Sequence, residues 1–151
     1  MCIRDSIYIP DIYKKFASGA DVVIGSRYVK GGKTNDSKVS IIMSHILNFV
    51  FRIITGIKAK DISTDFRMYD TKQLKAVKLT CQNYDILQEV LLKMKINNRK
   101  LVVKETPIVF EKRLYGESKR QLFKFILGYV KTLFMLIGVR INASFNKNRQ
   151  K

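Results

Sequence analysis

Apolar and polar residues alternate along this chain in blocks that predict a series of helices and strands. Pro10 opens a helix that runs to about Ser18, with Gly19 as its stop. Residues 20–25 (Ala-Asp-Val-Val-Ile-Gly) are a short β-branched run closed by glycine, the signature of a buried strand rather than an exposed hairpin. The polar stretch 30–37, with Gly31-Gly32 near its start, reads as a mobile loop. Asp36 or Ser37 can cap the next helix, which runs to about Thr55 and stops at Gly56. In that helix Val39, Ile42, Met43, Ile46, Leu47, Val50 and Ile54 follow helical spacing. Ile41, Phe49, Phe51 and Ile53 make the other side apolar too, so the helix is either deeply buried or in contact with lipid.

Further along, the pattern predicts a helix over 71–79 and another after Asn83, with Ile86, Leu87, Val90, Leu91 and Met94 inward. Residues 100–110 read as extended chain that Pro107 either places at a sheet edge or divides in two. The last helix begins near Ser118 and runs through Ile137 to about Val139. A spanning helix needs about 20 mostly apolar residues, and Lys124 and Lys131 interrupt this one. Two readings fit it equally: a basic amphipathic helix lying at a membrane surface, or a face packed on the core. Residues 140–151 form a basic tail, either solvated or held to a membrane surface.

Composition narrows the chemistry. The chain has 151 residues, 46% of them hydrophobic, which suits one domain with a real core. Its net charge of +17 favours anionic partners: nucleic acid, acidic lipid or a phosphorylated substrate. Cys2 and Cys81 stand alone, and His45, the only histidine, lies in an apolar helical run. A disulfide framework, a zinc site and a histidine relay are all disfavoured, and a reducing compartment fits.

Three polar motifs interrupt the apolar blocks. They are Gly25-Ser26-Arg27-Tyr28, then Asp61-Ile62-Ser63-Thr64-Asp65-Phe66-Arg67, then Arg113-Leu114-Tyr115-Gly116-Glu117-Ser118-Lys119. Each sets a cation beside a glycine or small hydroxyl residue, a combination suited to phosphate. The plainer alternatives are a surface arginine at position 27 and a turn-capping role for Asp61. Glu89 and Glu105 are candidate active-site carboxylates, and Glu89 is equally a helical salt-bridge partner.

Together these motifs resemble the C-terminal half of the family 2 glycosyltransferase catalytic domain, in its dolichyl-phosphate or polyprenyl-phosphate mannosyltransferase-like branch. The resemblance runs from about Ile7 to Val139. It rests on residues 20–29 with Gly31-Gly32, Ser44 with Asn48, Gly56, the 61–67 motif, residues 105–110, and Arg113-x-x-Gly116-x-Ser118-Lys119. It implies an α/β protein, the incomplete C-terminal part of a GT-A fold around a mostly parallel sheet. It also implies transfer of a sugar from a nucleotide-sugar donor to a polyprenyl phosphate acceptor. By the same resemblance Ser26, Arg27 and Ser44 lie near the acceptor phosphate, and Asp61 and Arg67 face the active site. Arg113, Ser118 and Lys119 belong to a loop that closes over the phosphates. Ser40 stands where many relatives carry a basic residue, and Asp65 where they carry glycine.

A divalent metal, Mg or Mn, is expected of a complete enzyme of this kind. No Asp-x-Asp metal motif occurs in this chain. Residues 1–6 read as a non-native leader, residues 7–139 as a partial catalytic domain ending in the amphipathic helix, and the chain as an inactive fragment. The expected setting is peripheral, at the cytoplasmic side of an anionic membrane surface. The competing reading is a non-catalytic basic module for membrane or nucleic acid; no recognisable nucleic-acid motif supports the latter.

Overall fold

The computed structural model describes residues 3–81, 85–111, 130 and 132–141. The cations and hydroxyl of the third motif (Arg113, Ser118 and Lys119), most of the last predicted helix and the tail beyond residue 141 lie outside the described residues.

A 3-10 turn, Ile3–Tyr8, leads directly into helix α1 (Ile9–Ala17), which carries Pro10 in its first turn. Proline is tolerated there because that turn has no intrahelical acceptor for its N–H. Gly19, with φ of 87°, reverses the chain into strand β1 (Val22–Ser26). All five residues of β1 are buried because it is the middle strand of a three-stranded sheet. It runs antiparallel to β3 (Arg67–Tyr69), pairing Ile24 with Arg67. It runs parallel to β4 (Val103–Pro107), pairing Ser26 with Pro107. The described sheet is therefore mixed rather than mostly parallel: the chain returns from the 61–66 loop alongside β1 in the opposite direction.

The sheet has helices on both faces. Val23 points toward α1 and packs with Ile12 and Ala20, with Phe16, Phe66 and Met68 around them. Val22 and Ile24 point the other way, into a larger core. That core holds Phe51 and Ile54 of α2 (Lys38–Thr55), Leu91 and Met94 of α4 (Ile86–Asn97), and Leu136 of α5 (Thr132–Ile141). Helix α3 (Thr71–Lys75) is shorter than the 71–79 predicted; Asp70 caps its start by accepting from Gln73 N. In α4 the inward set differs from the prediction. Leu87 is half-buried, while Gln88, Glu89 and Leu92 are fully buried, because polar side chains there find partners inside.

Two expectations about α2 are met and one is decided. Ser37 caps it, accepting from Ser40 N, and Gly56 ends it in the left-handed conformation at φ 68°. Arg140 of α5 donates to the carbonyls of Ile53 and Ile54, near that C-terminus, where cations are favoured. The helix is not deeply buried. Asn48, Phe51, Ile54 and Thr55 face the core, while Val39, Ile42, Ile46, Phe49 and Ile53 form an exposed apolar stripe. By length and composition α2 is apolar enough to cross a membrane.

The 30–37 segment is more ordered than the mobile loop predicted. Lys33–Thr34 (β2) pairs in parallel with Val109–Phe110 (β5), so the 100–110 run is divided after Pro107 and serves two sheets. Gly32 makes this possible. A Cβ there would lie 2.5 Å from the Ser26 carbonyl oxygen and 2.7 Å from that of Arg27, so only glycine lets the turn fold back against the end of β1.

Candidate anion site at the end of the central strand

The polar motifs converge where β1 ends. Gly25 permits the approach, since a Cβ on it would sit 2.6 Å from the Phe66 ring. Immediately after the strand, Arg27 turns toward the 61–66 loop. Its Nε donates to Asp61 Oδ2 at 2.7 Å and its Nη2 to Asp61 Oδ1 at 3.0 Å, a bidentate pair. Nη2 also donates to Ser63 Oγ at 2.8 Å, and the Arg27 main-chain N–H reaches Asp61 Oδ2 at 3.1 Å.

Asp61 is wholly buried, so this pair sits where a lone charge is costly. Burial by itself pushes the Asp61 carboxyl up, but the Arg27 hydrogen bond and charge outweigh it and leave the carboxyl below its ordinary value. Burial likewise pulls the Arg27 guanidinium down, and the Asp61 hydrogen bond and charge lift it above its ordinary value. Both groups are ionised across the physiological range.

The loop that presents Asp61 is itself held firmly. Ile62 is fully buried in the main core, an anchor of about 2 kcal/mol. Asn48, from the inner face of α2, accepts from Ile62 N at 2.9 Å and donates to Asp61 Oδ1 at 3.4 Å. Glu105, on β4, accepts from the main-chain N–H groups of Lys60 and Asp61 at 2.9 and 3.1 Å. Its carboxylate therefore supports the loop. Ser63 N also approaches Asp61 Oδ1 at 3.4 Å, so the turn-capping reading of Asp61 and the pairing reading are both realised.

The guanidinium also lies near two rings, with its carbon 5.0 Å from the centroid of Tyr28 and 5.6 Å from that of Phe110. Such placement is favourable for a cation and fixes the plane of the group. The remaining nitrogen, Nη1, faces Asp36 at 3.5 Å. His45 has its ring against that of Tyr28, with centroids 4.2 Å apart.

The other predicted site residues are dispersed around this centre. Ser26 is fully buried, with its hydroxyl 3.4 Å from Tyr28 N. Ser44 is half-buried on α2, one turn before Asn48 and on the same side of the helix. Arg67 faces the loop from the other side. Its guanidinium donates to the carbonyls of Ile62 at 2.6 Å, Thr64 at 2.7 Å and Leu87 at 2.8 Å, and to the Tyr69 hydroxyl at 3.3 Å. Its hydrogen-bonding capacity goes into tying the loop to α4. Glu89 forms the helical ion pair with Lys93 at 2.6 Å and accepts from Thr80 and Cys81 as well.

Ser63 lies within the second polar motif and Phe110 within the 105–110 run, but the sequence does not bring either to Arg27 beside Asp36. It offers Asp36 as a helix cap, although an acid in a Gly-rich basic loop beside an arginine motif is a recognisable signal. Among the described residues no group of three or more His, Cys, Asp or Glu side chains could hold a metal ion. The carboxylates near the site are already engaged, Asp61 by Arg27 and Glu105 by main-chain amides. These residues do not fit a divalent metal.

The site as a whole is a fixed cation at the end of the described sheet's central strand, with Nη1 opposite a partly exposed carboxylate. No family model matches the chain. Among curated proteins it is 32% identical to the dolichol-phosphate mannosyltransferase of Pyrococcus furiosus, over 85% of this chain and 36% of that protein. It is 32% identical to the polyprenol monophosphomannose synthase of Mycolicibacterium smegmatis, over 68% of this chain and 39% of that protein. It is 33% identical to the undecaprenyl-phosphate mannosyltransferase of Micrococcus luteus, over 66% and 42%. Over the matched stretch the chain is a relative of the dolichyl-phosphate mannosyltransferase-like glycosyltransferases. It spans between a third and a half of the length of these relatives.

Proposed function

We propose that this chain provides the acceptor side of a glycosyltransferase that moves a sugar, mannose by likeness to its relatives, from a nucleotide-sugar to a polyprenyl phosphate. The observation that carries this reading is Arg27: held and oriented by Asp61 at the end of β1, with Nη1 facing only the partly exposed Asp36. A guanidinium edge of this kind suits a phosphate oxygen. The GT-A fold belongs to the same proposal, and is consistent with helices on both faces of a sheet whose central strand ends at the site.

The chemistry asks little of the protein as a base. A phosphate monoester is ionised at neutral pH, so its oxygen can attack the anomeric carbon as the nucleoside diphosphate leaves, without a proton being removed first. What the residues must supply is position and charge. Arg27 would fix the acceptor phosphate. Ser44, on the same side of α2 as Asn48, would contact it by its hydroxyl, and Ser26 would shape the strand end. Asp61 and Arg67 would hold the loop beneath. Arg113, Ser118 and Lys119 would close over the phosphates. No step is assigned to a divalent metal, which remains an expectation of the resemblance for a complete enzyme.

The membrane setting has its own support. The exposed stripe Val39, Ile42, Ile46, Phe49 and Ile53 is flanked along α2 by exposed Lys38 and Arg52. An apolar face edged by cations is the pattern of a helix lying in an anionic headgroup layer. A peripheral setting at the cytoplasmic surface is part of the proposal, and this stripe supports the contact with a membrane. The same stripe also favours the second reading, a non-catalytic membrane-surface module.

Transfer assays separate the two. Joined to the donor-side half of one of its relatives, the sequence is expected to pass label from a nucleotide-mannose to farnesyl phosphate. Alone it is expected to bind farnesyl phosphate and transfer nothing. Failure of the chain to bind farnesyl phosphate, or transfer by the joined protein that is unaffected by Arg27→Ala, contradicts the enzymatic reading.

A further inference from the structure

Arg27 has two carboxylate partners of very different character. Asp61 is bidentate, at 2.7 and 3.0 Å, and wholly buried. Asp36 meets only Nη1, at 3.5 Å, and its side chain is 28% exposed. That distance is an ion pair beyond hydrogen-bond length. The guanidinium cannot turn to offer a different edge. Asp61 with Ser63 takes the Nε and Nη2 side, and the Tyr28 and Phe110 rings lie 5.0 and 5.6 Å from its carbon. A ligand anion therefore approaches along the line that Asp36 occupies.

Asp36 is also held locally. Its carboxylate accepts from Thr34 Oγ1 at 3.2 Å, and its N–H donates to the same hydroxyl at 3.3 Å. Thr34 is fixed by the pairing of β2 with β5. With two carboxylates on one guanidinium, Asp36 opposes an anion arriving at Nη1 until it moves.

We propose that Asp36 is an internal stand-in for the ligand's phosphate, occupying the outer edge of Arg27 until a phosphate monoester displaces it and thereby setting the affinity of the site. This rests on the reading of Arg27 as the acceptor-phosphate site. Asp61 is the anchor that stays, and Asp36 is the partner that exchanges. The exchange is feasible because a partly exposed ion pair contributes little, whereas a phosphate dianion brings more charge and can make short charge-assisted bonds to Nη1.

The test is calorimetric titration of the chain in detergent with farnesyl phosphate, and with farnesol as the uncharged control. Asp36→Asn should tighten farnesyl phosphate binding about two- to fivefold, the range expected for removing one partly exposed charge contact. Thr34→Ala, which removes the hydroxyl that holds Asp36, should act in the same direction and less strongly. Asp11→Asn makes the same change in net charge on the exposed first turn of α1 and should leave binding unchanged. If Asp36→Asn leaves affinity unchanged or weakens it while Arg27→Lys weakens binding, the stand-in is overturned and the phosphate site survives. If neither wild type nor Asp36→Asn binds farnesyl phosphate better than farnesol, both fall. Equal tightening by Asp11→Asn would reduce the effect to overall charge and overturn the inference.

Discussion

Arg27 and Arg67 both reach the 61–66 loop, one from the end of β1 and the other from the start of β3. Arg67 meets three main-chain carbonyls and a phenol, all neutral acceptors, and binds the loop to α4. Arg27 meets a buried carboxylate through Nε and Nη2, two nearby aromatic rings, and only the looser Asp36 at Nη1. The first spends its hydrogen bonds on neutral groups of the fold, and the second has its Nη1 opposite only a partly exposed carboxylate. A guanidinium becomes a ligand site through how its partners are distributed, and the two arginines separate architecture from recognition within one loop.

The largest effect should come from Asp61→Ala. It leaves the largely buried Arg27 without its main carboxylate, and breaking a buried pair from one side costs about 3–5 kcal/mol. Denaturant midpoints would measure it. The double change Arg27→Met with Asp61→Leu should recover most of that loss while abolishing phosphate binding. A loss below about 1 kcal/mol for the single change would show that the pair is effectively solvated.

Arg67→Ala should come next, at about 2–3 kcal/mol, since hydrogen bonds from a charged group contribute about 1.5–3 kcal/mol. Arg67→Lys should rescue little, because an ammonium cannot reproduce the planar fork that reaches Ile62, Thr64 and Leu87. In protein that remains folded, farnesyl phosphate affinity should fall less for Arg67→Lys than for Arg27→Lys. The opposite order would reverse the assignment of the two arginines.

Acid provides a smaller and broader test. Burial pushes the Glu89 carboxyl up, but hydrogen bonds from Lys93 and Thr80 and from main-chain amides bring it from 4.5 down to about 2. Asp61 is held low in the same manner by Arg27. A carboxyl lowered by folding binds its proton more readily in the unfolded chain. Stability is therefore full above about pH 4.5 and declines as the pH falls toward about 2. Glu89→Gln should flatten part of that acid limb without altering phosphate affinity at neutral pH. An unchanged limb would mean that the Glu89 pair contributes nothing. Cys81 takes no part near neutrality, since burial and the nearby Glu89 and Asp85 push its thiol up to about 12.

Local structure was more legible in the chain than the site was. Pro10, Gly19, Ser37 and Gly56 mark helix ends through local steric and capping rules, and the structure places them there. The β-branched run before Gly25 is the buried central strand for an equally local reason. Pairing was not legible. Nothing in residues 30–37 alone announces that Lys33 and Thr34 pair with Val109 and Phe110, because register is set by distant chain. Asp36 and Phe110 reach Arg27 only through that pairing, so the site was readable as Arg27 and Asp61 without the residues that shape its outer edge. In α4, helical spacing missed Gln88 and Glu89 because their burial depends on partners at Ile62 and Thr80.

The most direct measurement is the affinity of the chain for farnesyl phosphate against farnesol, for wild type and Arg27→Lys. Wild type should prefer the phosphate over the alcohol, and Arg27→Lys should weaken phosphate binding about tenfold while leaving the alcohol unchanged. Equal binding of phosphate and alcohol by the wild type, or an Arg27→Lys protein that binds the phosphate as tightly, would contradict the reading of Arg27 as the phosphate site.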